Sequence, residues 1–215
     1  MIVSLEGVSA HYGARSVLTN FNFSLEEGGQ ALLLGPSGSG KTTLIYLICG
    51  LLSPHAGAVR VAGQDLSKLA QAQRDDVRRA NIGVVFQTLR LVSALSVRAN
   101  LLLAQKLAGK ARNAADVDAL LARLDITHRS HAKPAALSQG EAQRAAIARA
   151  VIAKPALLIA DEPTSALDDA NTQRVVELLK ETAQAQGSAL LIATHDARLR
   201  SHFARAVELA GGGAA

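Results

Sequence analysis

A glycine-rich segment directly after a short apolar run limits the folds open to this chain. Ala31–Leu34 is continuously apolar, as in a strand buried on both faces, and Thr42–Leu52 has the pattern of a helix. Between them, Gly35–Thr42 matches G-x-x-x-x-G-K-[ST] at every fixed position. Strand, glycine loop and helix in this order predict a nest of backbone N–H groups at a helix N-terminus, where phosphate binds.

The side chains of this loop predict that the phosphate belongs to a nucleotide bound with Mg²⁺. Lys41 brings a full positive charge to the outer phosphates of a nucleotide, and the Thr42 hydroxyl is a candidate ligand for Mg²⁺. A flexible glycine loop that matches by chance is the alternative. The candidate nucleotide-binding residues of the loop are Gly35, Pro36, Ser37, Gly38, Ser39, Gly40, Lys41, Thr42 and Thr43.

A second apolar run ends in two carboxylates. Leu157–Ala160 predicts a buried strand, and Asp161 and Glu162 follow it directly. Because ligands of an open parallel sheet bind beyond the carboxyl ends of its strands, we expect Asp161 to face the metal through water. We expect Glu162 to face the γ-phosphate and to act as general base. Taken alone, the acidic pair could equally be an ordinary cap.

The order of the elements predicts an α/β fold with a mostly parallel sheet. More than a hundred residues separate Lys41 from Asp161, whereas a plain βαβ unit takes about 30. We therefore expect one domain over residues 1–215. Its P-loop NTPase core, with an N-terminal antiparallel β lobe, would be about residues 1–87 and 156–215. A helical subdomain would be inserted at about residues 88–155.

Individual elements are also predicted. Alternation of Phe21, Phe23 and Leu25 with polar residues indicates a half-buried strand, and Ile82–Phe86 a central strand. The predicted helices are Val97–Leu107, Ala114–Leu124 with Asn113 as N-cap, a helix from Ser138 to about Ala153, and Ala170–Gln186. Gly211–Gly213 predicts a frayed tail.

Composition excludes several classes of protein. The net charge is only +5 and aromatic residues make up 3%, with no tryptophan, so we expect no nucleic-acid partner. A single cysteine excludes an internal disulfide framework and favours a reducing compartment. The longest apolar run, Leu44–Leu52, is far shorter than the about 20 residues of a membrane span, and no basic signal-peptide region is present. We expect membrane contact only through a partner.

Further segments, in a fixed order, identify a family. Gln87 follows the Ile82–Phe86 run, Leu137–Glu141 opens a helix, and Ser165–Asp168 and His195 come after the acidic pair. This order resembles the ATP-binding cassette (ABC) ATPases over nearly the whole chain, from Tyr12 to about Leu209. We call Leu137–Glu141 the signature segment, after the motif of that family.

The resemblance implies an ATPase that uses ATP and Mg²⁺. It implies that Tyr12 stacks on adenine, that Gln87 touches Mg²⁺ and the attacking water, and that His195 hydrogen-bonds the γ-phosphate. The implied catalytic residues are therefore Glu162, His195 and Gln87, and the implied metal site is Thr42, Gln87 and, through water, Asp161.

The resemblance also implies a homodimer. Ser138, Gln139, Gly140 and Glu141 would reach across it to the γ-phosphate of the other subunit, and Asp168 would belong to a loop that crosses the interface. The commonest signature of the family has glycine where this chain has Gln139, so we expect ATPase activity to be reduced or unchanged rather than lost.

Within the family, the small size, Phe86–Gln87 and Asp161–Asp168 resemble the lipoprotein-release and macrolide-export group. That likeness implies separate transmembrane permease chains, a peripheral place at the cytoplasmic face of the inner membrane, and a docking groove that includes Thr88–Ala99. An importer ATPase for a small solute and a non-transporting cell-division cassette are the alternatives. A soluble translation or DNA-repair cassette is least favoured, because it needs tandem cassettes or a long coiled coil.

Overall fold

The computed structural model describes residues 1–13, 15–165 and 167–210, so the predicted tail at Gly211–Gly213 lies outside the described residues. In chain order the strands are β1 Val3–Tyr12, β2 Arg15–Leu25, β3 Gln30–Leu34, β4 Ala56–Val61, β5 Gln64–Asp65, β6 Ile82–Val85, β7 Leu157–Asp161, β8 Ala189–Thr194 and β9 Ala206–Glu208. The α-helices are α1 Lys41–Ile48, α2 Gln71–Asn81, α3 Val97–Leu107, α4 Ala114–Arg123, α5 Gln139–Val151 and α6 Asp169–Gln186.

The strands form two sheets of different kind. The antiparallel sheet has the order β2-β1-β4-β5 and the parallel sheet the order β6-β7-β8-β3-β9. Phe23 and Leu25 of β2 are buried while their polar neighbours are more exposed, as the alternation predicts. In contrast, every residue of β8 is buried, as expected for a strand covered on both faces. The predicted α/β fold is confirmed.

Strand β6 is an edge strand of the parallel sheet, so the prediction of a central strand is wrong. Within the described chain its neighbour in the sheet is β7. Its residues are nevertheless covered on both faces: Ile82 and Val84 pack in one apolar cluster and Val85 in the other. An apolar run reports burial of the faces and says nothing about in-plane neighbours, which explains the error. Gly83 permits the close packing, because a Cβ there would lie 2.2 Å from the carbonyl oxygen of Ala150 in α5.

The other element boundaries follow the predictions closely, with one exception. Helices α3, α4 and α6 and strand β8 agree with the predicted segments within a residue, and Asn113 caps α4 through hydrogen bonds from two backbone N–H groups. Helix α1, however, ends at Ile48 rather than Leu52. Gly50 follows with a φ of +66°, a left-handed turn that stops the helix. The apolar residues beyond it belong to the turn into β4.

Candidate nucleotide site

The glycine loop and the ends of the parallel strands surround one cavity of about 610 Å³. The loop after β3 contributes its floor, and Lys41 is the first residue of α1. The Lys41 side chain is only 6% exposed, and its Nζ donates to the carbonyl oxygens of Gly35 at 2.6 Å and Pro36 at 3.0 Å. The residues lining the cavity are Tyr12, Arg15, Val17, Ser37, Gly38, Gly40, Lys41, Thr42, Thr43, Gln87, Glu162 and His195.

Gly40 is required at the point where the loop turns into the helix. Its φ is +99°, which an L side chain rarely adopts, and a Cβ there would lie 2.8 Å from Val17 Cγ1 of β2. The glycine therefore lets the antiparallel sheet approach the N-terminus of α1. That approach brings Tyr12 and the loop to the same cavity.

Glu162 is the centre of a hydrogen-bonded network at this cavity. Its Oε2 accepts a hydrogen bond from Thr194 Oγ1 and lies 2.9 Å from His195 Nδ1, and its Oε1 lies 3.4 Å from Lys41 Nζ. The backbone φ of Glu162 is +49°, a conformation that favours glycine. A non-glycine residue held in this region at a polar cavity is typical of functional sites. The structure thus brings together Lys41, Glu162 and His195.

The remaining predicted residues of this site differ in placement. Tyr12 lines the cavity with 54% of its surface exposed, and Gln87 lines it while its Nε2 donates to Ser165 Oγ at 3.3 Å. Asp161 is half-buried at the end of β7 and does not line the cavity. Burial, then the neighbouring Glu162 carboxylate, raises the pKa of Asp161. A cation bound nearby would offset both effects and favour the charged form of Asp161.

Two residues of the cavity were missed by the sequence reasoning. Arg15 Nη2 donates to the carbonyl oxygen of Gly38 at 3.4 Å, and Val17 lies against Gly40. Both are on β2 with their side chains two residues apart, directly after the turn that follows Tyr12. The alternation of Arg15 and Val17 could have indicated this, because alternate residues of a strand share a face. It points to the cavity, however, only if Tyr12 is already known to lie there.

The signature segment lies away from this cavity. Ser138, Gln139 and Gly140 are exposed, and Ser138 is the N-cap of α5. None of the described residues that line the nucleotide cavity comes from this segment. Asp168 caps α6 by accepting a hydrogen bond from the Asn171 N–H at 2.8 Å, while Ala166 of the same predicted loop lies outside the described residues.

Comparison with known proteins places these features in a family. The profile of the ABC transporter family matches residues 18–165. The chain is an ABC transporter ATPase. The cassette is 36% identical to the lipoprotein-releasing system ATP-binding protein LolD of Shewanella sp. strain MR-7, over 99% of this chain and 94% of that protein. It is 39% identical to LolD of Hydrogenovibrio crunogenus, over 91% and 86% of the two chains.

Solved cassettes share the fold of this ABC ATPase. It superposes on a dimeric structure of the ABC transporter cassette MJ0796 with a TM-score of 0.87 and 29% identity, over 98% of this chain and 95% of that one. A second dimeric structure of MJ0796, in a post-hydrolysis state bound to ADP and Pi, gives a TM-score of 0.85 at 30% identity, with 98% and 95% covered. The cassette accordingly binds and hydrolyses ATP, and cassettes of this family form dimers and work with membrane permease components.

Among the described residues, no helix combines the length and the apolar character needed to cross a membrane.

Proposed function

We propose that two copies of this cassette enclose two ATP molecules, each between the glycine loop of one copy and the signature segment of the other. The observation that carries the proposal is the separation of two phosphate-binding elements on one chain. Lys41, Glu162 and His195 meet at one cavity, while the exposed Ser138 turn at the N-terminus of α5 lies elsewhere on the same chain. A helix N-terminus with free N–H groups suits a phosphate, and a second copy supplies one.

Each side chain then has a distinct task in hydrolysis. Lys41 and backbone N–H groups of the glycine loop hold the outer phosphates, and Tyr12 stacks on the adenine ring. Glu162 accepts a proton from the attacking water. At the same time the oxygen of that water bonds to the γ-phosphorus, and the bond between the γ-phosphorus and the β-phosphate oxygen breaks. His195 donates to the γ-phosphate, and Gln87 orients the water.

The donor set at this cavity fits Mg²⁺. Thr42 and Gln87 line the cavity with a hydroxyl and an amide oxygen, and Asp161 holds a half-buried carboxylate beside Glu162. The described residues contain no cluster of three His, Cys, Asp or Glu side chains able to hold a metal alone. Mg²⁺ needs no such cage, because it is commonly bound by one or two protein oxygens, waters and phosphates. When bound, it would neutralise charge that develops on the phosphates.

We propose the lipoprotein-release group as the transporter type. Two LolD proteins at 36% and 39% identity, each matched over most of both chains, support this choice over an importer or a cell-division cassette. The cassette would power separate transmembrane permease chains from the cytoplasmic face of the inner membrane. Its functional unit would span residues 1–215, with the core at about 1–87 and 156–215 and the helical subdomain at about 88–155.

The Glu162→Gln protein tests the enclosed-nucleotide dimer. Because the glutamine removes the general base but leaves Lys41 and the signature segment in place, we expect a stable dimer with Mg·ATP and a monomer with Mg·ADP. Sedimentation velocity measures both states. The Glu162→Gln/Lys41→Met protein is the control and should stay monomeric. A Glu162→Gln protein that remains monomeric in saturating Mg·ATP would overturn the proposal.

We propose that the permease docks at Thr88–Ala99, and side-chain exposure decides which residue there can be substituted. Leu91 packs against an apolar core cluster and Leu95 is half-buried, so a charge at either would damage the fold, whereas Val92 is 43% exposed. We expect Val92→Asp to prevent co-purification with the permease while basal ATPase activity stays within about twofold, as for other exposed substitutions. Leu107→Asp, at a residue that is 59% exposed and lies at the C-terminal end of α3, is the control. An intact complex with Val92→Asp would exclude this docking position.

A further inference from the structure

Glu141 is oriented differently from the rest of the signature segment. It is only 8% exposed, and its carboxylate folds back onto the N-terminus of α5. Oε2 accepts a hydrogen bond from the Ser138 N–H at 2.8 Å, and the Glu141 N–H donates to Ser138 Oγ at 3.3 Å. This reciprocal capping box closes the turn that presents the Ser138 hydroxyl. The resemblance implies that Glu141 reaches across to another chain. In the structure its side chain instead shapes the turn of its own chain.

The other oxygen of the Glu141 carboxylate is held from outside the helix. Arg129 Nε donates to Oε1 at 2.7 Å, and His128 Nε2 lies 3.2 Å from the same oxygen. Both residues belong to the short 3-10 turn Thr127–Arg129 that follows α4. The Arg129 guanidinium is the main reason that the pKa of Glu141 falls to about 2. A shielded carboxylate needs such a partner, because leaving it unpaired would be costly.

The connection that carries Arg129 also holds the start of α3. The Val97 N–H donates to the Ala132 carbonyl and the Arg98 N–H to the Ser130 carbonyl, both at 2.9 Å. These bonds satisfy two of the free N–H groups at the helix N-terminus. The signature segment and the end of the proposed docking segment are thus fastened to the same short stretch, Arg129–Ala132.

We infer that Arg129 is a positioning residue that holds the signature segment in its dimer-competent form by anchoring the Glu141 carboxylate. The inference rests on the proposed dimer. Without Arg129, the Glu141 carboxylate gains by turning to water, and the capping box that fixes Ser138 opens. The Ser138 hydroxyl and the Gly140 N–H then no longer point together at the nucleotide of the other copy. ATP binding to the glycine loop of the same chain is untouched, because the lining of that cavity does not include Arg129.

The test measures dimer affinity separately from nucleotide affinity. In the Glu162→Gln background, Arg129→Ala is expected to weaken the Mg·ATP-bound dimer. A partly exposed ion pair changes an equilibrium constant by up to about fivefold, and the dimer holds two such pairs, so its dissociation constant should rise by up to roughly 25-fold. Sedimentation equilibrium gives the dimer dissociation constant. Titration calorimetry at protein concentrations below dimer formation gives the affinity for Mg·ATP, which should not change.

A rescue variant separates positioning from general damage to the fold. Glu141→Gln keeps an amide oxygen for the Ser138 N–H but removes the charge that needs Arg129. Adding it to Arg129→Ala should restore dimer affinity to within about twofold of Glu141→Gln alone. Arg129→Lys, which keeps the cation, should lose less than Arg129→Ala. Arg112→Ala is the control, because Arg112 is exposed and makes no hydrogen bond or ion pair with the described residues.

The outcomes distinguish the inference from the proposed function. A Glu162→Gln protein that does not dimerise removes the proposed dimer and the inference with it. If Glu162→Gln dimerises and Arg129→Ala changes nothing, only the inference is wrong. It is also wrong if Arg129→Ala lowers the monomer affinity for Mg·ATP as much as the dimer affinity, or if Glu141→Gln gives no rescue.

Discussion

Replacing Lys41 with methionine is expected to weaken ATP binding by roughly 10- to 150-fold. Methionine keeps the length and the apolar stem of the side chain but loses the ammonium group, and a hydrogen bond to a charged group contributes about 1.5–3 kcal/mol. Lys41 is the buried cation of the cavity, and its Nζ lies between the loop carbonyls and Glu162. Thr43, the other buried polar residue among the described residues that line the cavity, carries no charge.

Ligand-induced stabilisation measures this loss. ATP at about 100 times its dissociation constant should stabilise the native protein by ~2.7 kcal/mol, whereas the same concentration should stabilise Lys41→Met by only about 0.3–1.4 kcal/mol. Each variant is compared with its own nucleotide-free form, so that any effect of removing the Lys41–Glu162 pair on stability is separated from binding. Lys106→Ala, on the exposed face of α3, is the control. Full ATP-induced stabilisation of Lys41→Met would contradict a phosphate-binding role for Lys41.

The sequence was sufficient to predict the phosphate loop because its residues are contiguous and its flanks are unambiguous. An apolar run, a glycine loop and a helix can be arranged around a phosphate in few ways. The carboxyl ends of the strands could be predicted to meet for a similar reason. In the parallel sheet, Leu34 pairs with Thr194 and Asp161 with Ala193, so the residues that follow β3, β7 and β8 converge at one edge.

Other features depend on packing that a linear pattern does not record. Strand β6 lies at the edge because β7 pairs with β8 on its other side. The apolar residues of β6 indicate only that its two faces are covered. Arg15 enters the nucleotide cavity because Gly40 lets β2 approach the loop. The inward orientation of Glu141 depends on Arg129, twelve positions earlier in the chain and outside the motif. In each case the decisive contact joins elements whose spacing carries no periodic signal.

Replacing Glu162 with glutamine is expected to lower the steady-state ATPase rate by about 10²–10⁴-fold, the usual contribution of a general base. An amide cannot take the proton of the attacking water. Its carbonyl oxygen can still accept the hydrogen bond that Thr194 Oγ1 gives to Oε2 at 2.9 Å, so the wall of the cavity should keep its shape. The change removes one charge and one proton acceptor while leaving the surrounding network largely in place.

Nucleotide affinity distinguishes a general base from a binding residue. In the structure, Glu162 Oε1 lies 3.4 Å from Lys41 Nζ, so the carboxylate competes with the phosphates for the same cation. Glutamine removes that competition, and we expect Glu162→Gln to bind ATP at least as tightly as the unmodified protein. Phosphate release gives the rate and calorimetry the affinity, with Glu27→Gln, an exposed turn residue, as the control. Near-normal hydrolysis by Glu162→Gln would assign the proton to another acceptor. A loss of ATP affinity equal to the loss of rate would make Glu162 a binding residue instead of a base.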